Sequence, residues 1–360
     1  MSKPVYWDYL QVPSLLGLQG GLPDGGPPSP DELHFIIVHQ CYELWFKLVL
    51  SQLRLARDRL AAPHVPEEQV PFVVHHLGRV NEILKLCVDQ FRVMETLPPQ
   101  DFLAFRDKLV PASGFQSFQL REMEILLGLE EAQRVSYAGT QPLEHIRALG
   151  ASSPGGGFAW EHIERARAEV TLRAALGRWL VRTPIHGSHP EDAGDAAVVE
   201  EFLSGYLARG DEHAKGGVEQ LVGALGEAER PRIEARFAAA REGVASFLRP
   251  ADPVERRARA GLLFIESYRE LPLLAWPRLL LDTIVELEEQ LLLFRNRHAR
   301  MVERTIGRRV GTGGSSGVDY LDQTTAYRVF PELWAVRSAL LPRELLPPIQ
   351  REERYSFAQG

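Results

Sequence analysis

Between Phe35 and Lys47 the chain carries a segment that is apolar almost all the way round: Phe35-Ile-Ile-Val-His39-Gln-Cys-Tyr-Glu43-Leu-Trp-Phe-Lys47. A helix of that composition offers no solvent face and is expected inside a layer of other helices. Yet it also carries His39, Gln40, Glu43 and Lys47. A buried polar group left without a partner costs about 1–3 kcal/mol. A core accepts several of them only where a network or a bound ligand satisfies them. The segment therefore reads as the wall of a site.

Helical periodicity governs most of the remaining chain. Ser29-Pro30-Asp31-Glu32 supplies a serine cap, a proline in the first turn and a glutamate three residues after the cap. Residues 72–94 place Leu77, Val80, Leu84, Cys87 and Phe91 at helical spacing. Further helices are expected over 101–109, 117–127, 161–181, 197–208, 220–247, 258–271 and 279–307. No strand alternation and no fixed-period repeat is evident. The expected fold is all-α, a multi-helix bundle forming a single domain over 1–360. Residues 184–250 are the candidate for an additional helical insertion.

Composition removes several classes of function. The chain has 360 residues, 45% hydrophobic and 25% charged, which is enough for a sizeable core. A formal net charge of −7 gives no basic footprint for nucleic acid or an anionic membrane. No apolar run reaches the roughly 20 residues of a membrane span. The first residues lack the apolar core of a secretion signal. Cys41 and Cys87 both sit in apolar helical contexts and read as reduced core thiols. A cytoplasmic location is expected.

Three further features bear on chemistry. His298 falls on the inward stripe of Ile284, Leu287, Leu291, Phe294, Met301 and Thr305. It is either a core histidine bonded to a neighbour or a metal ligand. Arg106 has Phe102 four residues before it and Leu109 three after, so all three can face one pocket. It is either a clamp for a ligand carboxylate or half of a salt bridge with an acid such as Asp107. Gly311-Thr-Gly-Gly-Ser-Ser-Gly317 fails the Walker pattern, because Val318 stands where the lysine should be. It reads as a loop closing over a ligand, or as a plain linker. His75-His76 and His186-x-x-His189 lack carboxylate or cysteine partners at ligand spacing in the sequence. No zinc helix, cysteine cluster or serine-hydrolase elbow is present.

Several blocks in order along the chain resemble the tryptophan 2,3-dioxygenase family. They are Tyr6-Trp-Asp-Tyr9-Leu, the helix from Asp31 to Lys47, Asp101-Phe-Leu-Ala-Phe-Arg106-Asp, Ser113-Gly-Phe-Gln-Ser117 with Gln119 and Arg121, Arg295-Asn-Arg-His298, and the Gly311–Gly317 loop. Residues 143–248 carry little of the likeness. The resemblance implies a helical bundle enclosing one haem b per subunit, with His298 as axial iron ligand and O2 as co-substrate. It implies that L-tryptophan is cleaved across the indole C2–C3 bond to N-formyl-L-kynurenine, the first step of the kynurenine pathway. His39 would contact the indole nitrogen, Phe35 would stack near the indole, Arg106 would hold the carboxylate and Thr312 the ammonium. Ile36, Ile37, Val38, Phe102 and Leu109 would complete the substrate pocket. Tyr6 and Tyr9 would reach a neighbouring subunit's site in a homotetramer. Phe102 stands where some bacterial members carry tyrosine. One or two of Arg295, Arg297, Arg300, Arg304, Arg308 and Arg309 could pair with the haem propionates. The same residues fit a haem monooxygenase that makes an oxindole from a substituted tryptophan. A haem-binding helical protein without catalysis is the other alternative.

Overall fold

A computed structural model of the chain describes residues 3, 5–21, 26–136, 141–151, 153–311 and 317–356. Among these residues the regular structure is helical, with one isolated bridge between Ile185 and Ser188 and no strand. The α-helices in chain order are α1 (Tyr6–Tyr9), α2 (Val12–Leu15), α3 (Pro30–Leu60), α4 (Gln69–Met94), α5 (Pro99–Arg106), α6 (Phe118–Leu127), α7 (Pro142–Gly150), α8 (Pro154–Ala168), α9 (Leu172–Val181), α10 (Asp195–Leu225), α11 (Arg230–Leu248), α12 (Pro253–Ser267), α13 (Ala275–Ile306), α14 (Gly317–Thr324) and α15 (Pro331–Ala335). The all-α expectation holds.

Two expected helices are each divided in the structure. The run over 161–181 breaks after Ala168, because the Thr171 hydroxyl accepts from the Ala174 N–H and starts α9 afresh. The run over 220–247 breaks at Gly226, whose φ of 98° ends α10, and Pro231 then occupies the first turn of α11. Both breaks are decided by local capping, which periodicity alone does not register. Helix α7 was not expected from the sequence at all.

The chain forms two compact units. The first comprises Met1–Arg54, Arg79–Glu169 and Leu287–Arg328; the second comprises Leu55–Gly78, Val170–Glu286 and Val329–Gly360. Residues 184–250 fall wholly within the second. In that unit α9 packs on α12, and α10 on α11. Gly261 permits the first of these contacts: a Cβ there would lie 2.4 Å from the Leu180 carbonyl oxygen. The aromatic core of the same unit gathers Phe202, Tyr206, Phe264 and Tyr268.

In the first unit α8 packs on both α6 and α7. Its core joins α3, α4 and α13 through Tyr42, Phe46, Phe91 and Phe294, whose ring centroids lie 5.2–6.1 Å apart in the pairs that touch. Helix α3 corrects one expectation, for it is not buried all round. Leu33, Ile37, Leu44 and Leu48 form an exposed apolar stripe at helical spacing, with Leu44 51% exposed. Lys47 is exposed as well, so it needs no interior partner. The other polar residues of the helix do have partners. Gln40 donates to the Leu18 carbonyl at 2.9 Å and accepts from Gln19, while the Glu43 carboxylate accepts from Gln119 at 2.7 Å.

Candidate active site

The first unit contains a cavity of about 190 Å³. Helix α3 contributes Phe35 and His39, α5 contributes Phe102 and Arg106, and α13 contributes Phe294, Arg295 and His298. Phe35 and His39 are one helical turn apart, so their side chains rise from one face. Their ring centroids are 4.0 Å apart. Phe35 also lies 5.8 Å from Phe102 and 5.7 Å from Phe105, which makes that end of the cavity an aromatic slot.

The His39 ring is neutral and its tautomer is set. Burial holds its pKa below the ordinary range, against the opposing pull of the Phe35 carbonyl and Glu43. Its Nδ1 lies 2.8 Å from the Phe35 carbonyl oxygen. A carbonyl only accepts, so Nδ1 carries the hydrogen and Nε2 keeps its lone pair. That Nε2 has no hydrogen-bond partner among the described residues and can receive an N–H from a ligand.

His298 stands alone in a different sense. Neither ring nitrogen makes a hydrogen bond among the described residues. The ring stacks on Phe91 at 5.6 Å, with an interplanar angle of 15°. Burial pushes its pKa down to about 4, with the neighbouring His39, Arg121 and Arg295 adding to the effect. At neutral pH it therefore presents an uncharged imidazole with a free lone pair to the cavity it lines. That is the form in which histidine binds a metal.

Arg106 has no ion pair with Asp107 or any other acid among the described residues. Its Nη2 donates to the Val310 carbonyl oxygen. Its Nε is buried and has no partner among the described residues. A guanidinium held in this way on a cavity wall has a fork available for a planar anion.

Beside these groups lies a buried ionic cluster. Glu124 on α6 pairs with Arg121 at 2.9 Å, with Arg295 at 2.8 Å and with Arg134. Burial works to raise the Glu124 pKa, and the three guanidiniums overcome it, holding it well below the ordinary carboxylate range.

The profile of the family described as tryptophan 2,3-dioxygenase matches residues 1–340. The chain belongs to the tryptophan 2,3-dioxygenase family. It is 47% identical to tryptophan 2,3-dioxygenase 2 of Ralstonia nicotianae, over 99% of either chain. It is 44% identical to tryptophan 2,3-dioxygenase of Sorangium cellulosum, over 98% of this chain and 87% of that one. It is 33% identical to the Anopheles gambiae protein of the same name, over 97% of this chain and 88% of that one. The family match runs through residues 143–248, where few family motifs are legible by eye.

Set beside the family resemblance, the structure brings Phe35, His39, Phe102, Arg106, Leu109 and His298 to one cavity. It does not bring Ile36, Ile37 or Val38 to its lining, since these side chains rotate off the face that carries Phe35 and His39. Val38 is buried elsewhere in the core and Ile37 is exposed. Tyr6 and Tyr9 lie on α1, 71% and 76% exposed, and do not line this chain's cavity. Thr312 lies outside the described residues. Of the six arginines on or just after α13, Arg295 is the one that lines the cavity. Arg121 lines it too, although sequence reasoning gave it no role. The available signal was a charged trio, Arg121, Glu122 and Glu124, set among Leu120, Met123, Ile125, Leu126 and Leu127 on one short helix.

Proposed function

We propose that this family member is a haem-dependent dioxygenase that converts L-tryptophan and O2 to N-formyl-L-kynurenine. Its membership in the tryptophan 2,3-dioxygenase family along nearly the whole chain supports the reaction. The observation that carries the chemistry is His298: a neutral imidazole without a hydrogen-bond partner among the described residues, lining the same cavity as a second neutral imidazole, His39. That donor fits an iron porphyrin, whose iron a neutral imidazole would hold. When bound, the haem supplies the redox chemistry with dioxygen that no side chain can provide.

The chain's own residues then hold and orient. His298 would hold the iron. Phe35 and Phe102 give the indole an apolar surface, and His39 Nε2 accepts the indole N–H. The Arg106 fork binds the substrate carboxylate, and Thr312, by resemblance, meets the ammonium. Fixing both ends of the amino acid places the C2–C3 bond, which is how orientation contributes to rate. The apolar cavity excludes water. Both atoms of O2 enter the product, so mass is gained and nothing leaves.

We read the exposed apolar stripe on α3, together with the exposed Tyr6, Trp7 and Tyr9, as surfaces covered in a homotetramer. In that assembly Tyr6 and Tyr9 would complete a neighbouring subunit's site, and Ile36, Ile37 and Val38 would act as its supporting layer. A monomer in sedimentation velocity at micromolar concentration would count against this. The two free cysteines fit a cytoplasmic enzyme. Among the described residues no helix is long and apolar enough to cross a membrane.

The deciding experiment is anaerobic reduction of the haem-loaded protein, addition of L-tryptophan and 18O2, and mass analysis of the product. Two labelled atoms per product are expected. One labelled atom would indicate an oxindole-forming monooxygenase, and none a haem-binding protein without this activity.

A further inference from the structure

A tryptophan held as described spans two elements of the first unit, with its indole against Phe35 and His39 on α3 and its carboxylate at Arg106, the last residue of α5. The separation of those elements is therefore part of the recognition, since a ligand of fixed length must reach both at once. Apolar contacts join them, with Phe35 lying 5.8 Å from Phe102 and 5.7 Å from Phe105. Such contacts are non-directional and leave register loose. An ion pair beside them supplies the direction: Lys108 Nζ donates to Glu32 Oε2 at 2.9 Å.

Both partners sit next to ligand-facing residues without lining the cavity themselves. Glu32 precedes Phe35 by three residues and His39 by seven, so the three share one face of α3. The Ser29 hydroxyl oxygen accepts from the Glu32 N–H at 3.1 Å and fixes that first turn. A carboxylate there is also favoured by the helix dipole. Lys108 lies in the 3-10 turn Asp107–Leu109 that follows α5, between Arg106 and Leu109, which both line the cavity. Glu32 is buried, and Lys108 is the one cation it pairs with among the described residues. A buried carboxylate that loses its single partner is strongly disfavoured, so the link holds from the α3 side even though Lys108 reaches solvent.

We propose that Glu32 and Lys108 are a positioning pair for the substrate. Their ion pair sets the distance from the Phe35–His39 face to Arg106, and so matches the cavity to an indole and a carboxylate joined by an amino-acid backbone. Neither residue touches the ligand; both act through the placement of Arg106. The proposal rests on the dioxygenase reading for the substrate and on Arg106 as its carboxylate partner.

The test uses the full-length chain as purified, with the Kd values of L-tryptophan and tryptamine measured by calorimetry. Tryptamine has no carboxylate and reports binding without the Arg106 end. Lys108→Met and Glu32→Gln should each raise the tryptophan Kd about tenfold and leave that of tryptamine within about twofold. Glu32→Gln keeps the side-chain volume, so it decides where Lys108→Met fails to fold. Lys108→Arg restores a cation that reaches the same carboxylate and should return the tryptophan Kd to within about twofold of the parent. Asp107→Asn, exposed beside the pair, should move neither ligand. In an Arg106→Ala background Lys108→Met should add no further loss, because the two effects share one route. Equal weakening of both ligands, an unmoved tryptophan Kd, or a loss that persists without Arg106 overturns the proposal. Arg106→Ala alone separates this failure from that of the clamp. A selective loss of tryptophan there, with none in the Glu32 and Lys108 variants, removes the positioning pair and keeps the clamp. No selective loss there removes the clamp and the positioning role with it.

Discussion

Arg106→Ala is expected to weaken L-tryptophan binding by about 2–5 kcal/mol, which is a rise in Kd of roughly 30-fold to several thousandfold. The size follows from the setting. The Arg106 Nε is buried and lacks a partner among the described residues, and no acid there neutralises the guanidinium. Binding of a carboxylate then gains a charge-assisted pair without first breaking an internal one. Tryptamine, which has the indole and the ammonium but no carboxylate, should bind the variant and the parent alike. Haem absorption should not change. A variant that loses tryptophan and tryptamine equally would mean that Arg106 shapes the cavity and does not clamp the substrate.

His298→Gly should remove iron ligation and lower turnover at least about a thousandfold, equivalent to about 4 kcal/mol of transition-state stabilisation. The substitution breaks no hydrogen bond among the described residues, and it relieves the desolvation that holds the imidazole pKa at about 4. Its cost to the fold comes from the lost ring contacts with Phe91 and Phe294 and from glycine in a helix, about 1 kcal/mol for the latter. Free imidazole at millimolar concentration should enter the space left and restore part of the haem spectrum. Near-normal haem retention and turnover without added imidazole would remove the foundation of the functional reading. Collapse of the apoprotein's thermal transition, with no recovery by imidazole, would make His298 a packing residue.

Much of the site was legible because its signals are local. Phe35 and His39, or Phe102 and Arg106, lie one turn apart on one helix, and helical spacing alone puts each pair on one face, while Leu109 reaches the same cavity from the 3-10 turn that follows α5. His298 was legible as an inward polar residue on an apolar stripe. Other features are non-local or depend on capping. The division of 161–181 turns on one hydroxyl at Thr171, and that of 220–247 on a positive φ at Gly226. The expectation that α3 is enclosed on every side failed because an apolar sequence states what a surface prefers, while its coverage depends on what else is present. Leu44 and its neighbours remain exposed on the single chain.

The sequence by itself determined the helical class, through periodicity, and the family, through blocks of residues in order along the chain, and it singled out His39, His298 and Arg106 as residues to look for at a site. Only the tertiary structure decided which charges meet. Arg121 and Arg295 are 174 positions apart in the chain, yet both line the cavity and both reach Glu124 beside it. An electrostatic balance of that kind depends on distance and burial in three dimensions, and residue order encodes neither directly.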